Sequence, residues 1–405
     1  MKTRLPVIFI TFTIMIDAMG IGLIMPVMPD LIREIQGTDI ANAAKWGGIL
    51  ATAWAVMQFI FSPLIGNLSD RFGRKPVMIL SLGVMAFDYL IMVFAHTIWL
   101  LLIGRLIGGI TAATHSTANA FMADISKKGE KAQNFGLVSA AFGIGFILGP
   151  VLGGLLSVYG PRAPFIAAAI LAGGNAVFGL IVMPETVTPE KRRIFEWKRA
   201  NPFGAFKSIG KLPGLMPLII VFFLYNVATF VYPSVWSYFG QQRFGWSPQI
   251  VGLSLAIVGI SMAVVQGWLI RVILPRFGSE KTVHMGFLIT IFAFLSIAFI
   301  PIGWLVLILT PISALGGLAA PALNAIMSEE VDDRQQGELQ GALSSVAALG
   351  TIMAPYTMTQ VFGYFSAANA PLYFPGAPFI LSAILMGIAI VIFTRHHRSN
   401  HRPAP

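Results

Sequence analysis

The sequence predicts an all-α membrane protein of 12 transmembrane helices, built as two pseudo-symmetric six-helix bundles. Three observations predict it. Charged residues make up only 11% of the 405 and apolar residues 56%. The apolar residues fall in runs of roughly 20, the helix length that a bilayer core of about 30 Å requires. Short motifs also recur half a chain apart. Arg71-Phe72-Gly73 returns 205 residues later as Arg276-Phe277-Gly278, Gly47 returns at the same offset as Gly252, and Gly108-Gly109 is echoed by Gly316-Gly317. The first two observations exclude a soluble globular fold, and the third is the mark of a duplicated six-helix unit.

Between charged residues and Pro/Gly punctuation, the spans of the first half run over 6 to 28, 45 to 66, 76 to 95, 98 to 121, 134 to 157 and 162 to 183. Those of the second run over 214 to 238, 248 to 274, 281 to 301, 303 to 327, 338 to 362 and 375 to 394. The first run is too long for a signal-peptide core and is expected to be a retained helix. The longest polar stretch, carrying Lys191, Arg192, Arg193, Lys198, Arg199 and Lys207, divides six spans from six. The expected organisation is therefore a bundle over 1–183, a cytoplasmic linker over 184–213, a second bundle over 214–394 and a basic cytoplasmic tail over 395–405.

The net charge of +10 is decided by where it falls. Of 27 Lys and Arg, 22 lie in the N-terminal tail, the even-to-odd loops and the C-terminal tail, against Arg33, Lys45, Arg162 and Arg243 on the other side. That asymmetry places both termini in the cytoplasm. The basic charge orients helices and meets anionic lipid, so membrane lipid and no nucleic acid is the expected partner. The absence of cysteine excludes disulfides and thiolate metal sites, and the scattered histidines, with His396, His397 and His401 in the tail, offer no metal-ligand spacing. Neither a metal nor a cofactor is expected.

Of 17 acidic residues only Asp17 and Asp88 fall well inside spans. A carboxylate there is costly unless it faces a cavity or a partner. Asp17 lies 11 residues after Pro6 and Asp88 12 after Pro76, so each is about 17 Å deep. Two carboxyls at one depth are suited to exchanging a proton with a cavity; the structural alternative is a neutral Asp hydrogen-bonded between helices. Arg105, within span 4, needs an acceptor, either an intramembrane Asp or a helix carbonyl, and acts in coupling or as a clamp. His115 on the same span is either a protonatable group of the pathway or a packed histidine.

The run from Gly66 through Asp70, Arg71, Gly73 and Arg74 to Lys75 joins spans 2 and 3 by a tight turn. Its glycines permit close helix approach and turn geometry. Asp70 can favour the N-terminal dipole of a neighbouring helix, and Arg74 can bond a carboxylate such as Asp124 at the end of span 4. Such a cluster acts as a latch. In span 5, Gly145, Gly149, Pro150, Gly153 and Gly154 clear one helix face for close packing that would seal one half against the other. A drug-sized cavity needs apolar walls with a few placed polar groups, for which Gln58, Asn226, Tyr232, Gln266, Asn324 and Gln360 are the candidates, each of which could instead make an interhelical hydrogen bond.

The run Gly66 to Lys75 resembles the signature that the major facilitator superfamily carries between its second and third helices. Leu101 to Gly109, with Arg105, resembles its fourth-helix motif, and Gly145 to Gly154 the fifth-helix motif of its antiporters. Nearly the whole chain is similar to the tetracycline/proton antiporter (Tet) family. The carrying segments are Asp17-Ala-Met-Gly-Ile-Gly-Leu-Ile-Met-Pro26, Met57-Gln58-Phe59 with Pro63, Asp88-Tyr89, Arg243-Phe-Gly-Trp-Ser247, Pro321-Ala-Leu and Gln336-Gly-Glu-Leu-Gln-Gly341.

The resemblance implies the major facilitator fold and a transporter rather than an enzyme, sufficient as a monomer in the bacterial inner membrane. It implies export of a small amphipathic drug, foremost a cationic metal–tetracycline complex, in exchange for a proton, the substrate bringing any divalent cation with it. Asp17 and Asp88 would lie on the proton pathway and Asp70 in the gate. The family's well-known exporters carry an acidic residue in helix 9 and a histidine in helix 8. Here span 9 reads Phe287-Leu-Ile-Thr290-Ile-Phe-Ala, and span 8 has Met262 and Val264 to Gln266. Proton coupling is therefore expected in the first half, with the second mainly shaping the drug site. Another amphipathic drug is the alternative substrate. Facilitated uptake of a sugar or organic acid would call for polar, cation-rich walls, and a membrane enzyme would need a convergent catalytic constellation.

Overall fold

The computed structural model describes residues 4–112, 114–127, 129–196, 201–205, 210, 212–332 and 334–400. Among these, ten helices are long and apolar enough to cross a membrane. One of them, Pro248–Phe299, has 52 residues, about 78 Å of helix, and so holds two spans. The 31-residue helix Gln336–Ser366 supplies the twelfth.

In the first half, α1 (Arg4–Ile24) stops short of Pro26, and a short amphipathic α2 (Met28–Gln36) buries Pro29, Leu31 and Ile32 and ends at Gly37, whose φ of 58° forms a left-handed cap. The expected first span therefore closes four residues early. The second is longer than expected: α3 (Ile40–Phe72) runs 33 residues to the single linking residue Gly73, after which α4 (Arg74–Phe94) begins at once. Span 4 is two pieces, α5 (Ile98–Thr111), whose first turn is capped by the Thr97 hydroxyl accepting from the Leu100 amide, and α6 (Thr114–Ile125). The helix α7 (Lys131–Leu156) continues through Pro150, and α8 (Ala163–Val182) completes the half.

In the second half, span 7 is α9 (Met216–Thr229) with α10 (Val231–Phe244), which a left-handed Gly245 ends. Next come α11 (Pro248–Val264), a π-helical turn over Val265–Leu269, and α12 (Ile270–Phe299). The loop expected between spans 8 and 9 is reduced to Gly278, whose φ of 76° and ψ of 166° bend the chain inside α12. The remaining helices are α13 (Gly303–Ala314), α14 (Ala319–Glu329), α15 (Gln336–Ser366) and α16 (Ala377–Asn400).

Two compact units form. One comprises Met1–Asp39, Ala53–Pro202 and Ser247–Ala256, the other Ile40–Thr52, Phe203–Trp246 and Ile257–Pro405. Thus the first turns of α3 pack in the second unit and those of α11 in the first. In the first unit α1 packs on α7 and α8, and α4 on α5 and α8. The chain path explains the α1–α7 contact: an added Cβ at Gly145 would strike the Met15 carbonyl, at Gly149 the Met19 carbonyl and at Gly153 the Leu23 carbonyl. Glycines four apart on one helix thus meet carbonyls four apart on the other. Gly154 meets Pro248 and Gln249, and Gly252 meets the Pro150 carbonyl, so the start of α11 closes on the same helix. In the second unit α9 and α12 pack on α16 around fully buried Phe287, Phe294, Phe379 and Phe393. There Gly47 makes room for the Tyr238 hydroxyl, and Gly48 for Thr359.

Candidate functional site

Within the first unit the structure brings the two membrane-embedded charges expected to need partners into contact. Arg105 Nη2 donates to Asp88 Oδ2 at 3.0 Å and touches Met92 Sδ at 3.1 Å. The Asp88 side chain is 2% exposed and that of Arg105 12%, so this is a buried pair. Its position depends on two glycines: an added Cβ would lie 2.9 Å from Asp88 Oδ1 at Gly104 and would strike Oδ2 at Gly108. The helix bearing Arg105 thus opens a notch on either side of the arginine for the carboxylate of α4. Asp88 Oδ1 and Arg105 Nε have no hydrogen-bond partner among the described residues, leaving capacity to bond another group.

Asp17 is buried on α1 at 8% exposure and has no cation partner among the described residues. Tyr89 bridges the two charge sites. Its hydroxyl lies where a Cβ at Gly20 would be, one turn beyond Asp17, and it is within electrostatic reach of Asp17, Arg105 and Asp88. One turn before Asp17, the buried Thr13 hydroxyl donates to Asn175 Oδ1 of α8 at 3.3 Å. The side chain of His115 lies outside the described residues.

At the α3–α4 turn a second charged group assembles. Arg74 Nη1 contacts Asp70 Oδ1 at 2.6 Å and donates to Ser69 Oγ at 2.6 Å, while Nε donates to Asp124 Oδ2 at 3.3 Å. Arg74 meets Asp124 as the sequence suggested, and Asp70 joins them through Arg74, around a cleft of about 410 Å³ that Thr186, Val187 and Arg193 also line. Two expectations are corrected. Asp70 does not serve the N-terminus of α4, because Arg74 occupies it. That role falls to Glu185, whose carboxylate accepts from the amides of Arg74 at 2.9 Å and Lys75 at 3.2 Å. Gly66 meets nothing within 4 Å and makes no close helix approach, whereas Gly73, at φ 110°, supplies the turn. Arg71 stands apart, its guanidinium 5.2 Å from the Phe72 ring centroid.

Glu185, Tyr89 and the Thr13–Asn175 pair carry more of these sites than the sequence revealed. Glu185 follows span 6 in what reads as linker, and the amides it caps lie 111 and 110 residues away. Nothing local marks such a contact; an acid at the end of an apolar run was the only signal. The linker itself is tied to this turn, since Asn67 Nδ2 donates to the Glu196 carbonyl and the Arg193 amide to the Asp70 carbonyl.

The polar candidates for a drug cavity are not linked to one another by hydrogen bonds among the described residues. Gln360 donates to the Lys45 carbonyl at 3.3 Å, and Asn226 to the Phe222 carbonyl of its own helix at 2.8 Å. Tyr232 packs its ring 5.5 Å from Phe294 and 5.6 Å from Trp236. Gln266 lies on the π-helical turn near Gly317, and Asn324 Oδ1 is buried without a partner among the described residues. Gln58 is half-buried on α3. No cluster of three or more His, Asp or Glu side chains among the described residues could hold a metal ion.

Twelve spans in two related halves, with a buried Asp–Arg pair and an isolated Asp in one of them, define a membrane transporter. The profile of the Major Facilitator Superfamily matches residues 10–355 and, overlapping, 276–405. The tetracycline resistance protein of class C from Escherichia coli is 38% identical over 395 residues, covering 98% of each chain, and that of class B, also from Escherichia coli, is 38% identical over 86% of each. The crystal structure of the nucleoside transporter NupG superposes with a TM-score of 0.76 at 14% identity, over 98% of this chain and 99% of that one, which speaks for the fold. The chain belongs to the major facilitator superfamily and, within it, to the family of the tetracycline resistance proteins.

Proposed function

We propose that this protein exports a tetracycline from the cytoplasm in exchange for a proton, by alternating access, from the bacterial inner membrane with both termini cytoplasmic. The observation that carries the reading is the buried set Asp17, Tyr89, Asp88 and Arg105. Asp88 is held by Arg105, whereas Asp17 has no cation beside it among the described residues and is free to gain and lose a proton at its carboxyl. The names of the relatives support tetracycline as cargo, and any divalent cation travels as part of the drug complex. No cofactor takes part, and one chain in its lipid suffices. Arg105 holds the Asp88 carboxyl in place. The Asp70–Arg74–Asp124 group acts as the gate latch, broken and remade as the transporter changes state.

The test is expression in a drug-sensitive bacterium, with tolerance to a drug panel compared among wild type, Asp17→Asn and Asp70→Asn. Wild type is expected to raise tolerance to tetracycline and both variants to lose that protection, Asp17→Asn with a fall of at least about 100-fold in transport rate, the scale of a lost proton-transfer group. An uncoupler should abolish efflux. Wild type protecting against nothing, or both variants protecting equally well, would sink the proposal.

A further inference from the structure

The helix α7 presents three faces, and only two are accounted for. Gly145, Gly149 and Gly153 face α1. Leu137, Ile144, Leu148 and Leu155, at 44%, 49%, 41% and 57% exposure, form an apolar stripe of the kind that meets lipid. At about 100° per residue, Phe135, Ser139, Phe142 and Phe146 fall within about 60° of one another and about 170° away from that stripe. This third face, on which Phe142 is 38% exposed, borders a cavity of about 550 Å³ lined by Phe135, Val138, Ser139 and Phe142 of α7 and Asn119 of α6.

The Ser139 hydroxyl and the Asn119 amide have no hydrogen-bond partner among the described residues. Phe142 and Phe146 are stacked, with ring centroids 6.2 Å apart and planes 14° from parallel. Gly136 and Gly143 meet nothing within 4 Å and leave the flank of the stripe open. An aromatic wall with two uncommitted polar groups, in a volume within the roughly 300–1,000 Å³ of small-molecule sites, is the chemistry that holds a flat, fused-ring amphiphile.

We infer that this α6–α7 cavity is a binding subsite for the exported drug, with Phe142 stacking on its rings and Ser139 and Asn119 bonding hydroxyl and carbonyl oxygens along its edge. The inference rests on the drug-export reading above and adds where in the first unit the drug sits. None of these five residues belongs to the charged groups or to the polar candidates read from the sequence.

The natural chain has no cysteine, so one introduced thiol reports alone. Ser139→Cys, nearly isosteric, and Ile144→Cys on the lipid-facing stripe are each made in the full-length protein. Their rates of reaction with N-ethylmaleimide are measured with and without tetracycline and magnesium. With drug at about ten times its Kd, about one site in eleven is free, so labelling at Ser139→Cys is expected to slow about tenfold while that at Ile144→Cys is unchanged. Tetracycline fluorescence, read on the same samples, reports binding independently, and Phe142→Ala is expected to weaken it about tenfold. If the protein binds tetracycline but labelling at Ser139→Cys is unaffected, the subsite is wrong and the export reading survives. If it binds no tetracycline, the tetracycline reading fails, and ethidium, a flat aromatic cation, replaces it as the probe. Protection of Ser139→Cys by ethidium then upholds the subsite, and absence of protection overturns it.

Discussion

At Gly73 the backbone turns out of α3 with φ 110° and ψ 153°, and 205 residues on, at Gly278 inside α12, it turns with φ 76° and ψ 166°. Both glycines lie in a region of backbone space that side chains essentially forbid, so the duplicated bend has kept its geometry. What surrounds it has not been kept. Around Gly73 stand Asp70, Arg74, Asp124 and Glu185, joined by an Asp70–Arg74–Asp124 contact and by the Glu185 carboxylate on the first amides of α4. At the positions matching Asp70 and Arg74 the second half has Pro275 and Ser279, and its contacts are histidine–carboxylate pairs. His397 Nε2 lies 2.7 Å from Glu280 and His396 Nε2 3.6 Å from Glu330, pairs that carry charge on both partners only when the histidine is protonated.

The interiors differ in the same sense. The first unit buries Asp17, Asp88 and Arg105, whereas the second buries an aromatic cluster in which Phe379 lies 4.9 Å from Phe239, 6.0 Å from Tyr232 and 6.3 Å from Trp236. A duplicated scaffold with ionic chemistry in one copy and aromatic packing in the other is suited to dividing proton handling from cargo shape. It also makes the copies unequal in what a single substitution costs.

The largest cost is expected at Arg105→Leu. Removing one partner of a buried pair leaves the other charged and unpaired, a loss of about 3–5 kcal/mol. Thermal unfolding in detergent should show it, and the double variant Arg105→Leu/Asp88→Asn should recover most of the stability without recovering transport. If the single variant were as stable as wild type, the Asp–Arg pair would not be a structural charge centre, and the contrast between the interiors would weaken.

Next come the two bends themselves. Gly278→Ala forces a side chain into a forbidden backbone region, costing about 1–3 kcal/mol, with nothing within 4 Å to clash. Gly73→Ala bears the same strain, and its Cβ would also run into the Glu185 carboxylate. It should therefore unfold at a lower temperature than Gly278→Ala. Equal midpoints would mean that Glu185 yields freely and that the first bend is no more tightly enclosed than the second.

These residues also show what the sequence could and could not reveal. The spans were legible because burial in lipid demands long apolar runs, and Asp17, Asp88 and Arg105 stood out as exceptions to that demand. The Arg74–Asp124 contact was legible because both residues end spans on the same face. The breaks in spans 4 and 7 were not, because hydropathy carries no information on helix continuity. Glu185 was hidden by the distance along the chain to the amides it caps, and the notch at Gly104 and Gly108 by the absence of any local sign of which carboxylate would enter it.

A smaller effect is expected at Glu185→Ala. The carboxylate accepts four backbone amides, two at the start of α4 and those of Thr186 at 2.9 Å and Val187 at 3.0 Å. Loss of such a cap costs about 1–2 kcal/mol. Hydrogen exchange at the start of α4 should quicken before any other part of the helix. Unchanged protection there would show that the start of α4 is held by its packing on α5 and α8 without the cap.

The smallest effect is expected at Glu280→Gln, the nearest counterpart in the second half. Glu280 is 43% exposed and His397 27%, so the pair is bathed in solvent and screened by salt. Such pairs contribute about 0.2–1 kcal/mol. The same region keeps a second tie, since His284 Nε2 lies 2.9 Å from Thr394 Oγ1, a contact that does not involve the Glu280 carboxylate. Glu280→Gln should therefore lower stability by less than about 1 kcal/mol, and by less in high salt than in low. A loss as large as that of Glu185→Ala would mean that the histidine–carboxylate pairs fasten the second bend as firmly as the ionic group fastens the first. The division between a charged half and an apolar half would then apply to the interior of the protein and not to its loops.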